Sequence, residues 1–246
     1  IYADPARRGD TGRKLFRLED CSPDIGALAP HLLDRAPMLM VKLSPMADIS
    51  VLLASFGAAL REIHVVGLGG EVKELLCLLL RGNRAFDGIF AAELGAADGG
   101  SDEIFFFRPR EEQSAPLLLA GGLSPGQVLL EPVSCMLKSG AFRLPCVRYG
   151  LGKLAPSTHL YIAESSGLPP AGLFRRFMIK EILPLNAASL RELKSRRLRA
   201  DVSARNIRMD SAELARRLGC VSGSLHVFGC STACSGNVLL LTERIV

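Results

Sequence analysis

The residues best suited to chemistry stand at the beginning of the chain, where an apolar run ends in Asp4-Pro5-Ala6-Arg7-Arg8. Residues 1–4 have the character of the end of a parallel strand, and open α/β sheets bind their ligands beyond such ends. Proline fixes its own backbone and lacks an amide donor, so the chain turns away and leaves Asp4 able to accept hydrogen bonds. The two arginines are suited to hold a phosphate or a carboxylate. The alternative is an ordinary turn whose arginines face the solvent.

A second apolar run ends in a similar way, at Lys42-Leu43-Ser44-Pro45. Residues 38–43 predict a central parallel strand, because they are apolar except for Lys42. A lysine inside such a strand is costly to bury unless it is paired or faces a site. The alternative is a lysine whose stem lies along the sheet edge while its amine reaches water. We expect the two strand ends, at Asp4 and at residues 42–45, to lie side by side on one rim of a sheet.

The turn Gly67-Leu68-Gly69-Gly70 suggests a competing site, since it follows a predicted strand over residues 62–68. We expect a strongly apolar helix over residues 71–80, and a strand, a glycine turn and a helix in this order are typical of dinucleotide-binding proteins. The third glycine of that fingerprint is replaced by Val72, so the pattern is incomplete. Asp87 lies about 20 residues further on, where the fingerprint places an acid. A nicotinamide-dependent oxidoreductase is therefore an alternative.

A dense basic segment lies between residues 191 and 209, where seven lysines and arginines are opposed only by Glu192 and Asp201. Residues 1–110 carry a net charge of −2, whereas residues 111–246 carry +7. Such a surface can neutralise the phosphates of a nucleic acid, and its candidate RNA contacts are Arg196, Arg197 and Arg199. The alternative is a solvated helix face. The segment lacks interleaved aromatic residues, so it does not indicate base stacking.

The remaining patterns indicate two domains within the 246 residues. Alternating strand and helix patterns predict an α/β domain over residues 1–109, in which Ser22 caps a helix whose first residue is Pro23. Residues 110–126 are rich in Pro, Gly and Ser and are the predicted linker. Residues 127–246 are a second predicted domain of mixed strands and helices, with one helix over residues 134–144.

The seven cysteines and the apolar runs restrict the environment of the protein. The cysteines are dispersed and several lie in apolar runs, which indicates buried thiols in a reducing compartment, the cytoplasm, rather than disulfides or a zinc site. No apolar run approaches the ~20 residues needed to cross a bilayer, so we expect neither a membrane nor a metal partner. The chain opens at the end of a strand, so we also expect a segment before it.

Long segments in both halves together resemble the class I methyltransferases that carry a C-terminal THUMP-like domain. The resemblance extends over nearly the whole chain. The segments on which it depends are IYADPARR, LEDCSPDI, LMVKLSPMADI, EIHVVGLGGEVKELL, LLEPVSCMLKSGAF, YGLGKLAPSTHLY and LHVFGC.

The resemblance implies an α/β fold with a partial Rossmann-like methyltransferase sheet followed by a smaller α+β THUMP-like domain. It also implies S-adenosyl-L-methionine as the cofactor and RNA, either tRNA or rRNA, as the substrate. The family's first half, with the glycine-rich loop that holds the cofactor, is absent, so we expect this chain alone to bind the cofactor poorly. A non-catalytic RNA-binding module is the alternative. The implied roles are catalysis for Asp4, Arg7, Arg8 and Lys42, cofactor contact for Asp4, Pro5 and Ala6, and substrate contact for Ser44 and Pro45.

Overall fold

The computed structural model describes residues 1–7, 18–82, 85–95, 102–163 and 167–245. Their contacts divide the chain into two compact units. The first is Ile1–Gln113 together with Val133–Ala141, and the second is Ser114–Pro132 together with Phe142–Val246. This division differs from the predicted linker at residues 110–126, because part of that segment pairs with the second unit and a later segment returns to the first.

The first unit consists of a six-stranded sheet, a small two-stranded sheet and short helices. Short 3-10 turns lie at Leu18–Asp20 and Gly57–Ala59. Its other elements are β1 (Tyr2–Ala3), β2 (Ala6–Arg7), β3 (Cys21–Ser22), α1 (Ile25–Arg35), β4 (Met38–Leu43), α2 (Ile49–Phe56), β5 (Leu60–Leu68), β6 (Glu71–Leu80), β7 (Gly88–Leu94), β8 (Glu103–Phe107), α3 (Pro109–Ser114) and α4 (Ser134–Ser139).

The six strands follow the order β1-β4-β6-β5-β7-β8. Strands β1 and β4 are parallel, as are β5 and β7, whereas β6 is antiparallel to both of its neighbours. Strand β6 lies between β4 and β5 and is antiparallel to both, so β4 and β5 run in the same direction. Since β1 is parallel to β4 and β7 is parallel to β5, all four of these strands run the same way. Their carboxyl ends therefore share one rim, which is where open α/β sheets place ligands.

Strand β6 corrects the predicted helix over residues 71–80. Leu75, Cys77 and Leu79 are fully buried on one face, and the residues between them are half-buried on the other. An interior strand covered on both faces has a continuous apolar sequence, which periodicity alone does not distinguish from a buried helix. The glycine turn before β6 thus joins two antiparallel strands, and the strand-turn-helix arrangement of a dinucleotide site is not formed.

Helix α1 begins two residues later than predicted. Ser22 lies in β3 and not at the helix start, and the cap is Asp24, whose carboxylate accepts a hydrogen bond from the amide of Ala27 at 3.2 Å. A carboxylate at this position satisfies one of the unpaired amides of the first turn. The predicted strands at residues 38–43 and 62–68 are present as β4 and β5.

The second unit is built around one seven-stranded sheet. Its order is β10-β11-β9-β12-β15-β14-β13, and all of its strands are antiparallel to their neighbours except β13, which is parallel to β14. Its elements are β9 (Val128–Pro132), α5 (Leu144–Tyr149), β10 (Leu151–Ala155), β11 (Thr158–Ala163), β12 (Phe174–Pro184), α6 (Ala187–Ser195), β13 (Arg199–Arg205), α7 (Ser211–Leu218), β14 (Val221–Thr232) and β15 (Gly236–Ile245).

Two hydrophobic clusters lie on opposite faces of this sheet. Successive side chains point to opposite faces of a strand, so that Phe228 belongs to one cluster and Val227 to the other. The second cluster also contains Leu193 of α6 and Leu214 of α7, which cover that face. The mixed α+β character predicted for this part of the chain is therefore confirmed.

Several local predictions in this part of the chain need correction. The helix predicted over residues 134–144 is two helices, because Gly140 adopts a left-handed conformation (φ 85°) and ends α4, and α5 begins only at Leu144. Strand β13 was not predicted, because its alternation of Ala200, Val202 and Ala204 with polar residues lies inside the basic segment. The charged residues of this segment made the alternation of apolar and polar residues, which is typical of a strand, difficult to recognise in the sequence.

Candidate functional site

The carboxyl rim of the first sheet brings together the two strand ends expected to form a site. Tyr2 pairs with Met40 and Ala3 with Val41, so Asp4 follows β1 directly beside Lys42. Lys42 Nζ lies 2.6 Å from Asp4 Oδ2, and both side chains are partly exposed, at 33% and 48%. The predicted juxtaposition of the two strand ends is thus present in the structure.

The ion pair determines the protonation of the lysine. The hydrogen bond and charge of Asp4 raise the pKa of Lys42 above its usual value, against a smaller opposing effect of desolvation. Lys42 is therefore a cation at neutral pH and is unsuited to act as a base. Its chemical role at the rim is to hold one carboxylate oxygen of Asp4, and the exposure of Asp4 allows that carboxylate to accept a further hydrogen bond from a ligand.

The residues after Asp4 leave the rim as a short strand. Pro5 is half-buried, Ala6 is exposed, and β2 pairs with β3 through Ala6–Ser22 and Arg7–Cys21. The backbone of Arg7 is thus placed beside the rim. Arg8 lies outside the described residues.

The residues after β4 form a compact turn at the same rim. Ser44 Oγ accepts a hydrogen bond from the amide of Met46 at 3.2 Å, and its carbonyl accepts one from Ala47 at 3.0 Å. Pro45 is half-buried between them. Asp48 then caps α2, accepting from the hydroxyl and amide of Ser50 at 2.5 and 2.7 Å, and these hydrogen bonds lower the pKa of Asp48.

A buried carboxylate at the rim was missed by the sequence reasoning. Glu93, near the carboxyl end of β7, is 3% exposed, and its Oε1 accepts a hydrogen bond from the amide of Gly70 at 2.8 Å. It lies opposite Gly67 in the register of β5 and β7. A side chain on Gly67 would collide with Glu93, since a Cβ there would lie 2.1 Å from Oε2. The small size of Gly67, which lies within β5, thus leaves room for the Glu93 carboxylate.

Helix α4 supplies three further polar groups to this part of the first unit. Ser134 Oγ donates a hydrogen bond to the carbonyl of Gly70, and α4 packs on β5, β6 and β7. Burial, with smaller effects of the Glu93 carboxylate, raises the pKa of the Cys135 thiol to about 12. Desolvation lowers the pKa of Lys138, an effect that the charge of Asp48 partly offsets. No sequence pattern indicates that residues 133–141 belong to the first unit, and only their contacts in the structure show it.

The basic segment of the second unit divides into paired and exposed groups. Arg196 is held by two carboxylates, with its Nη1 2.5 Å from Glu181 Oε2 and its Nη2 bonded to Glu192, and these hydrogen bonds raise its pKa. It therefore fixes α6 to β12 and has less capacity for a phosphate than was predicted. Arg197 and Arg199 are exposed, Arg199 being the first residue of β13.

The cysteines and histidines show no alternative centre. Cys77, Cys135 and Cys230 are buried free thiols with pKa values raised to about 12 by burial, and Cys234 is exposed. Among the described residues, no group of three or more His, Cys, Asp or Glu side chains is placed to hold a metal ion. None of the described helices combines the length and apolar character that a membrane span needs.

Comparisons with known proteins agree with this architecture. A model of a ferredoxin-like domain matches residues 129–168, and a model of a THUMP domain-like family matches residues 174–244. The fold is similar to the crystal structure of a "putative methyltransferase" from Porphyromonas gingivalis W83, with a TM-score of 0.86 and 33% sequence identity. All of this chain is covered, and it spans 59% of that protein's length. No curated protein matches the chain.

These similarities support the expected fold class, a Rossmann-like sheet followed by a THUMP-like domain. The two family models lie within the second unit, whereas the structural similarity extends over both units. The rim at Asp4 and Lys42 therefore belongs to the part of the fold that is similar to the Porphyromonas protein.

Proposed function

We propose that the protein is a class I S-adenosyl-L-methionine-dependent methyltransferase that acts on RNA. The observation on which the proposal depends is the 2.6 Å pair of Asp4 and Lys42 at the carboxyl ends of two parallel strands. The similarity in fold to a protein described as a methyltransferase supports it. The nicotinamide alternative depended on a helix over residues 71–80. These residues form the antiparallel strand β6, which removes the support for that alternative.

In this proposal Lys42 positions Asp4, and Asp4 orients the nucleophilic group of the RNA. The cofactor would supply an activated methyl group, and its transfer is an in-line displacement in which the protein mainly positions the two reactants. Such positioning can contribute about 7–11 kcal/mol to lowering a barrier in favourable cases. Asp4 accepts a hydrogen bond from the acceptor group or removes its proton, while Arg7 and Arg8 hold a phosphate of the RNA. Ser44 and Pro45 line the substrate side of the same rim.

The rim fits one end of the cofactor and not the whole of it. Asp4 is exposed enough to face a cationic sulfonium, and Pro5 and Ala6 beside it add no charge. Strand β1 is the edge of the six-stranded sheet, with Ile1 and Tyr2 49% and 59% exposed. The described rim offers contacts for the methyl-bearing end alone, and the chain spans 59% of the length of its structural relative. The present chain alone should then bind S-adenosyl-L-methionine weakly.

The second candidate function is a non-catalytic RNA-binding module. It is favoured by the exposed cations of α6, of β13 and of the turn between them, among them Lys194, Arg197 and Arg199. The two functions are compatible in one protein, with the second unit holding tRNA or rRNA for the first. A cytoplasmic location is part of this proposal, since the free thiols suit a reducing compartment.

Methyl transfer from labelled S-adenosyl-L-methionine to total tRNA and rRNA tests the proposal in the natural protein. Asp4→Ala should reduce the rate at least about 100-fold if Asp4 performs general base catalysis. Asp34→Ala is the matched control, because Asp34 is an exposed carboxylate at the end of α1. Unchanged turnover in Asp4→Ala would remove the rim from the mechanism.

The proposed RNA binding is tested separately, by measuring how the affinity for RNA depends on the salt concentration. Arg199→Gln should weaken binding and reduce the slope of log K against log salt by about 1, as expected for one lost phosphate contact. Arg35→Gln, an exposed arginine of α1, is the control. RNA binding without any methyl transfer in the natural protein would favour the binding module over the enzyme.

A further inference from the structure

The sheet of the second unit is strongly curled, and its curl brings distant charges together. Glu131 lies in β9 and Arg205 in β13, and β12, β15 and β14 separate these two strands. In a flat sheet four strand spacings amount to roughly 19 Å. Arg205 Nη2 nevertheless lies 2.6 Å from Glu131 Oε1. The two strands must therefore approach each other across a concave face.

The carboxylate of Glu131 is buried between two arginines. Its side chain is 4% exposed, and Arg175, directly opposite Glu131 in the register of β9 and β12, places Nη1 3.6 Å from Oε2. Burying a carboxylate is costly unless it is paired and hydrogen-bonded. Glu131 thus requires both cations, and in return it fixes the direction of two guanidinium groups that come from different strands.

Both guanidinium groups remain open to solvent although Glu131 is not. The side chain of Arg175 is 42% exposed and that of Arg205 is 37% exposed. A guanidinium has five N–H donors. Arg205 directs Nη2 to Glu131 and Nη1 to the carbonyl of Ala204, and the 3.6 Å separation at Arg175 is longer than a hydrogen bond. Donors of both partly exposed guanidinium groups therefore remain for a ligand.

A histidine and a second acid lie within electrostatic reach of these arginines. His226 bonds to Ser203 Oγ at 2.9 Å and stacks on Phe228 with ring centroids 4.2 Å apart. Burial lowers its pKa below the usual value, against the raising effects of Glu131 and Asp201, so the ring is neutral at pH 7. Asp201 accepts a hydrogen bond from Ser222 at 2.7 Å and is exposed.

We propose that Arg175 and Arg205 form a binding site for the terminal phosphate of an RNA strand. A phosphate monoester carries about −1.5 to −2 charges and three acceptor oxygens at pH 7, which suits two converging guanidinium groups better than a singly charged internal phosphate. The proposal rests on the RNA partner proposed above, and it is independent of methyl transfer.

The site includes Arg205 of the basic segment but none of the three arginines for which RNA contacts were predicted there, Arg196, Arg197 and Arg199. Arg197 and Arg199 are exposed cations outside the Glu131 cluster, whereas Arg175 and Arg205 are oriented by a buried acid. An ion-pair network whose only role is to close the curled sheet is the opposing interpretation. It predicts a stability change in variants of the cluster and no change in phosphate recognition.

Three oligoribonucleotides of one sequence test the site: one with a 5′-phosphate, one with a 3′-phosphate and one with neither. Calorimetric titration into the whole protein should show one phosphorylated form binding about tenfold tighter than the bare strand, as expected for charge-assisted hydrogen bonds. Arg175→Gln should abolish that preference. Lys180→Gln should keep it, because Lys180 is an exposed cation of the same strand that pairs with Glu243.

Arg175→Lys provides a second test if Arg175→Gln does not fold. It keeps the charge but loses the planar fork, and most of the preference for the phosphorylated strand should disappear. Equal binding of all three oligonucleotides by the native protein overturns the phosphate site and leaves the RNA partner intact. A preference that survives both Arg175 variants also overturns the site. Failure of every oligonucleotide and of total tRNA and rRNA to bind overturns the RNA partner itself.

Discussion

Gly67→Ala should destabilise the first unit far more than a glycine-to-alanine change usually does. Gly67 does not have a positive φ, so its backbone conformation is open to alanine, and the cost is one of space. The new Cβ would lie 2.1 Å from Glu93 Oε2, 3.1 Å from its Cδ and 3.2 Å from Cys135 Cβ. These distances are all shorter than the ~3.5 Å at which carbon contacts become favourable.

The loss of stability in Gly67→Ala has two sources, and both involve the side chain of Glu93. Overpacking of a filled site costs about 1–3 kcal/mol. Moving the carboxylate also breaks the 2.8 Å hydrogen bond from the Gly70 amide, and a bond to a charged group contributes about 1.5–3 kcal/mol. We therefore expect Gly67→Ala to lower the free energy of unfolding by roughly 2.5–6 kcal/mol.

The assay is the rate at which the thiol of Cys77 is labelled in rising urea, because Cys77 is fully buried in β6 and reports opening of this sheet. Gly26→Ala is the matched control in the same unit. A Cβ there lies no closer than 3.4 Å to any atom, and its position in α1 makes alanine favourable by up to about 1 kcal/mol. Glu93→Asp shortens the side chain and moves its carboxylate away from residue 67. In that background, Gly67→Ala should lower the free energy of unfolding by less. Equal stability of Gly67→Ala and the native protein would refute the reasoning, as would strictly additive effects of the two changes.

Two further outcomes follow from the environments of single side chains. Cys234 should react with a thiol reagent in the native protein while Cys135 reacts only after unfolding, as read by mass spectrometry, because Cys234 is exposed and burial raises the pKa of Cys135 to about 12. The free energy of unfolding should fall as the pH drops from about 6.5 to about 4, because burial lowers the pKa of His159 to about 4 and only the unfolded chain binds the proton in that range. Denaturation over this pH range should show a smaller fall in the free energy of unfolding for His159→Gln, whereas His31→Gln, at an exposed position, should show the same fall as the native protein. Equal labelling rates for the two thiols would contradict the first expectation, and equal pH slopes for the two histidine variants would contradict the second.

The parts of the fold that the sequence predicted are those where local pattern and tertiary environment agree. The strand at Met38–Leu43 has one lysine near its end, and Asp4 directly follows its neighbour β1, so the Asp4–Lys42 pair follows from parallel strands in register.

The errors arose where tertiary contacts outweigh the local pattern. Residues 71–80 have a helix-like apolar run because both faces of β6 are covered, which removes the polar alternation of an ordinary strand. Residues 133–141 follow a strand of the second unit in sequence, yet their partners Gly70 and Glu93 are in the first unit and distant along the chain. The pairing of Glu131 with Arg205 depends on the curl of a whole sheet, for which no short sequence pattern exists.

Whether methyl transfer takes place at the Asp4–Lys42 rim is tested most directly by ultraviolet cross-linking of methyl-labelled S-adenosyl-L-methionine to the natural protein, followed by peptide mapping. The label should appear in the peptides that contain Asp4 or residues 42–48, since these surround the proposed position of the methyl group. Label confined to residues 67–70, or to the second unit, would contradict the account.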